Sequence, residues 1–101
     1  MILERNLRLG PLEIDIVAQK GDLVVACEVR ARGPTALASP LASVDAKKRR
    51  TIARAAERLW RERLSKLDPP PRLRIDVAAV TRGPRSAEVE YIAGAITLDE
   101  V

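Results

Sequence analysis

The sequence predicts an α/β fold in which a mixed β-sheet packs against one long helix. Three patterns predict it. Two strand-like segments are joined by a glycine turn within residues 12–32, a long segment of helical period follows residue 43, and two more strand-like segments follow the prolines at 69–71. A chain of 101 residues has room for a single hydrophobic core, so we expect one domain spanning residues 1–101.

The first three strands are expected to follow one another directly. Ile2 to Leu9 is the first strand, and it ends at a Gly-Pro pair because proline cannot donate to a sheet ladder. Glu13 to Ala18 alternates acidic and aliphatic residues, and Leu23 to Arg30 is rich in valine. Gly21, between the last two segments, supplies the positive φ that a hairpin turn needs.

A loop and a long helix follow the hairpin. Residues 33–42 contain two prolines and many small residues without a consistent period, which predicts the loop. Ser43 is the expected N-cap, with Asp45 in the first turn to complement the helix dipole. Apolar residues then recur at helical spacing and form one core-facing stripe over about five turns: Ile52, Ala56, Leu59, Trp60 and Leu67.

Two more strands complete the sheet after the prolines stop the helix. Leu73 to Thr81 is a mostly apolar run, typical of a buried strand. Residues 82–84 contain a Gly-Pro pair and predict a turn, and Ala87 to Ile92 alternates as an edge strand does. The resulting order, β-β-β-α-β-β, is the mixed sheet on one helix.

The residue inventory excludes several kinds of site. The chain has no histidine and one cysteine, Cys27, which lies in an apolar strand and is expected to be buried. A zinc site and a Ser/His or Cys/His catalytic pair are therefore excluded. The apolar runs are far shorter than the ~20 residues that span a bilayer, and no signal-like segment follows Met1, so we expect no membrane partner and a cytoplasmic location.

Acidic residues are concentrated on the predicted hairpin. Taking residues 20 and 21 as the turn places Glu13 opposite Glu28, and Asp15 opposite Ala26. Alternation along the strands then brings four charged side chains to one face: Glu13, Asp15, Glu28 and Arg30. Directly opposed like charges destabilise a sheet by roughly 0.2–1 kcal/mol per pair. Mg²⁺ or Mn²⁺, which prefer oxygen ligands, would neutralise them.

A solvated strand face is the alternative interpretation, with Arg30 and the basic helix neutralising the acids. A one-residue slip of the register would also place the acids of the two strands on opposite faces.

The helix segment is strongly basic, within a chain of net charge +4 and pI near 9.8. Its first turns contain four consecutive cations: Lys47, Lys48, Arg49 and Arg50. These side chains either contact phosphates of a nucleic acid, DNA or RNA, or form a solvated helix face.

Several segments together resemble the YraN-like family of small bacterial proteins, which have an endonuclease-like fold. The segments are RNLR at 5–8, LEIDIVA, LVVACEVRAR, VDAKKRRTIARAAERLW and RIDVAAV, so the resemblance runs from about Arg5 to about Ile92. The E-x-D and E-V-(K/R)-x-R blocks occur in order with the expected gap. Membership implies similarity to the PD-(D/E)xK nuclease superfamily, whose restriction-endonuclease-like core binds Mg²⁺ between two strands.

The resemblance implies roles for particular residues. Asp15 and Glu28 would be metal ligands, with Glu13 at the family's acidic position before the aspartate. Arg30 would occupy the position of the superfamily's catalytic lysine, and Lys48 matches a lysine near the start of the family's helix. The implied catalytic set is therefore Asp15, Glu28 and Arg30.

Two departures from the family pattern accompany the resemblance. The usual N-terminal helix with its Gly-x-x-Gly-Glu-x-x-Ala segment is lacking, so one acidic ligand is expected to be missing and a homodimer is one way to cover the surface it leaves. Arg30 stays protonated, so it cannot act as a general base, although it can clamp a phosphate with two hydrogen bonds.

Three functions remain open from the sequence. The first is a metal-dependent nuclease, the second a nucleic-acid-binding domain without catalysis, and the third a subunit that binds another protein through the hairpin or the loop. Asp76, in RIDVAAV, is expected either to pair with a neighbouring arginine or to act at the site.

Overall fold

The computed structural model of the chain describes residues 1–32 and 44–100. The strands and the helix are β1 Ile2–Leu9, β2 Leu12–Lys20, β3 Leu23–Arg32, α1 Ala46–Glu62, β4 Arg72–Arg82 and β5 Ala87–Ile96. Two short 3-10 helices lie at Leu64–Lys66 and Leu98–Glu100. The predicted loop at 33–42 and the predicted N-cap, Ser43, lie outside the described residues.

The five strands form one mixed sheet in the order β1-β2-β3-β4-β5. β3 and β4 pair in parallel, and every other neighbouring pair is antiparallel. Parallel neighbours need a long crossover connection, and α1 lies in that connection between β3 and β4. The predicted α/β class, with one helix on a mixed sheet, is therefore confirmed. No helix in the described part of the chain has the length and apolar character needed to cross a membrane.

The turn between β2 and β3 lies one residue later than predicted. Lys20 pairs with Leu23, so the turn residues are Gly21 and Asp22. Gly21, the first turn residue, has φ of +59°. Glycine adopts a positive φ more readily than lysine does, so the turn begins at Gly21 and not at Lys20.

The predicted facing pairs of this hairpin are therefore wrong. Ala26 pairs with Val17 and not with Asp15, and Glu28 does not lie opposite Glu13. The pairing differs from the prediction by two residues, an even number, so the predicted face of each β3 side chain is kept.

The helix is shorter at both ends than predicted. Asp45 is the N-cap in place of Ser43, because its carboxylate accepts a hydrogen bond of 2.8 Å from the backbone N–H of Lys48. The helix ends at Glu62, after 17 residues. Leu67, predicted on the apolar stripe, is consequently 53% exposed, since it follows the 3-10 turn.

The core lies between α1 and one face of the sheet. Three alanines of α1, Ala53, Ala55 and Ala56, are fully buried, and their small side chains bring the helix close to the strands. Trp60 packs against this core from its edge, as expected for a residue on the apolar stripe. Within the described residues, α1 and both 3-10 helices lie on the same side of the sheet. We call the opposite side the open face.

Candidate active site

An irregularity in β2 positions the first acidic residue. Ile14 and Val17 both belong to the core that α1 covers, although residues three apart point to opposite faces of a regular strand. The strand must therefore change faces between them, at Asp15 and Ile16. On β1 the corresponding position holds Asn6, whose φ of +52° is the one positive value among the non-glycine residues described. Asp15 thus lies where β2 departs from regular geometry.

The Asp15 side chain bridges the end of the β2–β3 ladder. Strand pairing runs from the turn to Ile16 and Cys27. One step beyond, Oδ2 of Asp15 accepts a hydrogen bond of 2.9 Å from the backbone N–H of Val29. This hydrogen bond holds the Asp15 carboxylate beside Glu28, because Glu28 directly precedes Val29 in the chain.

Glu28 faces the helix side of the sheet and is 9% exposed. Its Oε1 lies 3.5 Å from Nζ of Lys48, which comes from the first turns of α1. Burial raises the pKa of Glu28, and the nearby Asp15 charge raises it further, whereas Lys48 lowers it. The net direction is upward, because burial and the Asp15 charge together outweigh the effect of Lys48.

Glu13 is not part of an acidic triad. It is exposed and lies opposite Arg8 of β1, and it lines a small cavity of about 10 Å³ next to Glu28. Such a volume is roughly that of one water molecule. Within residues 1–32 and 44–100, no three Asp, Glu or Cys side chains lie close enough together to hold a metal ion. Glu13 alternates with the core residue Ile14 and so lies on the open face, whereas Glu28 faces the helix. Of the three carboxylates predicted to converge, the structure therefore brings together two, Asp15 and Glu28.

Arg30 follows Glu28 by two residues on β3. The pairing of β3 with β4 is regular through both positions, so the two side chains share a face. The structure thus brings Arg30 to the side of the sheet that holds Glu28 and Lys48. This placement of Arg30 agrees with its predicted position on the face of Glu28. The catalytic role of Arg30 stays a prediction.

The four consecutive cations of α1 do not form one surface. Lys48 turns towards Glu28, and Nη2 of Arg49 donates to the backbone carbonyl of Ala95 at 3.4 Å. Lys47 and Arg50 are exposed, and Arg54 is exposed one turn further on. Residues at positions i, i+3 and i+7 share a helix face, so these three make a cationic row. Arg54 was not among the predicted binding residues, although its spacing from Arg50 is visible in the sequence.

Asp76 lies on the open face, opposite to Glu28, and is completely buried. Nε and Nη2 of Arg74 each donate to it at 2.8 Å, the hydroxyl of Tyr91 donates as well, and the backbone N–H of Gly94 donates at 2.8 Å. Of the two roles left open by the sequence, pairing with an arginine is the one that the structure shows.

The acidic pair has the donor chemistry of a magnesium or manganese site. Mg²⁺ is commonly bound through one or two carboxylates, with waters and substrate phosphates completing its coordination. Asp15 and Glu28 supply two such carboxylates. Burial and the Asp15 charge raise the pKa of Glu28, and a bound cation would offset the Asp15 charge. The residues therefore fit the cofactor implied by the family resemblance.

Comparison with known sequences places the chain in a family. The profile of the uncharacterised protein family UPF0102 matches residues 1–80. A UPF0102 protein of Sorangium cellulosum is 45% identical over 95 residues, covering 93% of this chain and 66% of that protein. A UPF0102 protein of Syntrophotalea carbinolica is 40% identical, over 97% of this chain and 77% of its own length. A third, from Kineococcus radiotolerans, is 38% identical over 92% of this chain and 75% of its own length.

The profile match over residues 1–80 includes Asp15, Glu28 and Lys48, and together with these relatives it confirms the resemblance that the sequence motifs predict. The chain belongs to UPF0102, the YraN family.

Proposed function

We propose that this protein is a metal-dependent nuclease that cleaves phosphodiester bonds of nucleic acid. The observation that carries the proposal is the pairing of Asp15 with Glu28 at the end of the β2–β3 ladder, where the pKa of Glu28 is raised despite the contact with Lys48. A structural ion pair would lower the pKa of its carboxylate. A carboxylate pair with excess negative charge is instead suited to a divalent cation.

Each side chain has a distinct part in this function. Asp15 and Glu28 would hold the cation, and the N–H of Val29 keeps the Asp15 carboxylate oriented. When bound, Mg²⁺ or Mn²⁺ lowers the pKa of a coordinated water and polarises the scissile phosphate. Lys48 balances the charge of Glu28 and can donate to a phosphate oxygen. Arg30 supplies a fixed positive charge for the same oxygens and transfers no proton.

Nucleic-acid binding without cleavage is a second candidate, and one observation favours it. The row formed by Lys47, Arg50 and Arg54 makes no salt bridge with any residue that the structure describes, so its charge is available to phosphates. Binding through this row needs no metal and no third acidic ligand.

A cleavage assay with matched variants tests the nuclease proposal. The purified chain is incubated with Mg²⁺ or Mn²⁺ and branched, duplex and single-stranded DNA and RNA. We expect Asp15→Asn and Glu28→Gln to abolish cleavage, and Asp22→Asn, the same chemical change on the β2–β3 turn, to preserve it. Cleavage that survives both active-site changes would come from a contaminant and would remove the nuclease proposal.

Arg30 variants refine the same assay. Arg30→Lys restores the residue usual in the superfamily and should preserve or raise cleavage. Arg30→Ala removes a charge-stabilising contact and should lower it on the order of 10²-fold. If the wild type and Arg30→Lys are both silent with every metal and substrate, the binding function replaces the nuclease.

Salt dependence tests the binding candidate separately. Each phosphate contact on duplex DNA contributes about 0.9 to the slope of log affinity against log salt. Replacing Lys47, Arg50 and Arg54 with glutamine should therefore flatten the slope by up to about 2.7. An unchanged slope would move the binding surface away from this helix face.

A further inference from the structure

The edge strand β1 departs from regular geometry beside the acidic pair. Leu7 belongs to the core that α1 covers, and Glu4 pairs with Val17, which belongs to the same core. Residues three apart on a regular strand point to opposite faces, so β1 must break its alternation between Glu4 and Leu7. Asn6 lies in this interval, and its φ of +52° is outside the range of a strand. The break in β1 is therefore at Asn6.

Contacts with the helix hold β1 on both sides of this break. Before it, Oε1 of Glu4 lies 3.3 Å from Nη1 of Arg63, the residue that follows α1. After it, Nη1 of Arg58 donates to the backbone carbonyl of Leu9 at 3.0 Å. The positive φ of Asn6 allows both halves of β1 to face the helix. Asparagine and glycine adopt this left-handed conformation more readily than other residues do.

The break in β1 coincides with the change of face in β2. The pairs on either side keep one register, Arg5 with Ile16, and Leu7 with Ile14. Asn6 therefore lies opposite Asp15. At this position the Asp15 carboxylate, and not a backbone carbonyl of β2, accepts the hydrogen bond of 2.9 Å from the N–H of Val29.

We propose that Asn6 is a positioning residue for the metal site, because its left-handed backbone sets the change of face in β2 that brings the Asp15 carboxylate to the Val29 N–H. The inference rests on the proposed function, in which Asp15 is a metal ligand. Asn6 acts through the paired backbone of β2 and touches neither metal nor substrate. Its side chain is exposed, so replacing it removes no core packing. A residue that disfavours positive φ would let β1 relax towards a regular strand and would move the carboxylate away from Val29.

The experiment compares Asn6→Gly, Asn6→Ala and Asn6→Val in the full chain. Proton–nitrogen NMR and hydrogen exchange follow the Val29 amide without metal, and electron paramagnetic resonance follows the binding of Mn²⁺. Asn6→Gly should keep the wild-type amide signal and affinity, because glycine retains the positive φ. Asn6→Val should lose the exchange protection of the Val29 amide and bind Mn²⁺ more weakly by up to roughly 5- to 30-fold, the factor by which the left-handed conformation is disfavoured.

Arg8→Val is the control, because Arg8 is an exposed residue of β1 in regular pairing with Glu13. Its Val29 amide should match that of the wild type. Asn6→Ala keeps the comparison open if Asn6→Val does not fold, since alanine also disfavours positive φ but is not β-branched.

Two results would overturn the proposal. If the alanine and valine variants lose stability but keep the wild-type Val29 amide, Asn6 has a structural role only. If Asn6→Gly loses the amide protection as Asn6→Val does, the asparagine side chain and not its backbone positions Asp15. A wild type that binds no Mn²⁺ would instead remove the proposed metal site, whereas the Val29 amide would still show whether Asn6 positions the carboxylate.

Discussion

Asp76 and Glu28 are buried carboxylates on neighbouring strands, but they lie on opposite faces of the sheet and in opposite electrostatic environments. Asp76 receives hydrogen bonds from Arg74, Tyr91 and the backbone of Gly94. Glu28 has one cation at 3.5 Å, Lys48, and a second carboxylate, Asp15, beside it.

The pKa directions follow from this difference. Burial alone raises the pKa of both carboxyl groups. For Asp76, hydrogen bonds from Arg74, Tyr91 and Gly94 outweigh burial and bring the pKa below its ordinary value. For Glu28, the repulsion from Asp15 adds to burial and the pKa rises. Asp76 thus forms a structural ion pair with Arg74. The negative charge of Glu28 is not fully compensated within the protein, and a bound cation could compensate it.

The comparison predicts its largest effect on stability at Asp76. Asp76→Asn replaces the negative carboxylate that accepts hydrogen bonds from Arg74, Tyr91 and Gly94. The NH₂ group of the asparagine is itself a donor, so it would point at one or more of these donors. Because Arg74 is partly exposed and can regain water, we expect a loss of about 2 to 4 kcal/mol, at the lower side of what breaking buried pairs costs. Urea unfolding followed by the fluorescence of Trp60, the single tryptophan, measures it.

Asp22→Asn is the control for that variant. Asp22 forms a two-point ion pair with Arg72, at 3.1 and 3.0 Å, similar in geometry to that of Asp76 with Arg74. Both partners are largely exposed, so water replaces the contact and we expect little change in the midpoint. Equal losses in the two variants would show that burial does not distinguish these pairs.

Glu28→Gln should have the opposite profile, with a large effect on activity and a small one on stability. Loss of the anionic ligand should lower metal-dependent cleavage by at least on the order of 10²-fold. The folded protein should be equally stable or more stable at neutral pH, because the repulsion from Asp15 disappears, an effect of roughly 0.2–1 kcal/mol. Parallel cleavage and urea-unfolding measurements on one preparation test both halves. A marked loss of stability would make Glu28 a structural residue like Asp76.

The sequence predicted which strands carry Asp15 and Glu28, but it did not predict the register in which those two strands pair. Faces on β3 follow from alternation, which survives a register change of two residues, so Glu28 and Arg30 could be placed correctly. The pairing itself depends on which residue takes the positive φ of the turn, and the sequence allows two choices around Gly21. The change of face in β2 lies opposite Asn6, which has a positive φ, and no periodicity in the sequence indicates either irregularity.

Contacts between distant segments were harder still to predict. The ion pair between Lys48 and Glu28 depends on where α1 lies on the sheet. The family motif predicts a lysine at position 48 but not its contact with Glu28. The enclosure of Asp76 requires Tyr91 and Gly94 on β5, fifteen and eighteen residues away. Alternation in β5 predicts an edge strand, but the hydrogen bonds across to Asp76 come from tertiary packing.

Tyr91→Phe tests how much of the stability of Asp76 comes from one donor. The ring is half-exposed, and the hydroxyl donates to the buried carboxylate. Removing it leaves Arg74 and Gly94 in place, so we expect a loss of about 1 to 2 kcal/mol, as for a single hydrogen bond to a charged group. Thermal or urea unfolding measures the loss, and Tyr91→Phe should cleave like the wild type, because Tyr91 lies on the face opposite to Glu28. No loss of stability would mean that Asp76 is held by Arg74 and Gly94 alone.

The smallest expected effect concerns how the free energy of unfolding changes with pH, because Glu28 and Asp76 should contribute to it with opposite signs. Glu28 has a folded-state pKa above its ordinary value of 4.5, so the folded protein holds the proton more tightly than the unfolded chain. Its contribution to the free energy of unfolding therefore falls as pH rises from 4.5 through the raised pKa. Asp76 has a folded-state pKa below its ordinary value of 3.8, so its contribution is present above 3.8 and is lost as pH falls through the lowered pKa. Subtracting the pH profile of Glu28→Gln from that of the wild type isolates the first contribution, and the difference should grow in favour of the variant as pH rises above 4.5. A difference that does not change with pH would mean that Lys48 already neutralises Glu28 and that no electrostatic deficit is left for a metal ion to fill.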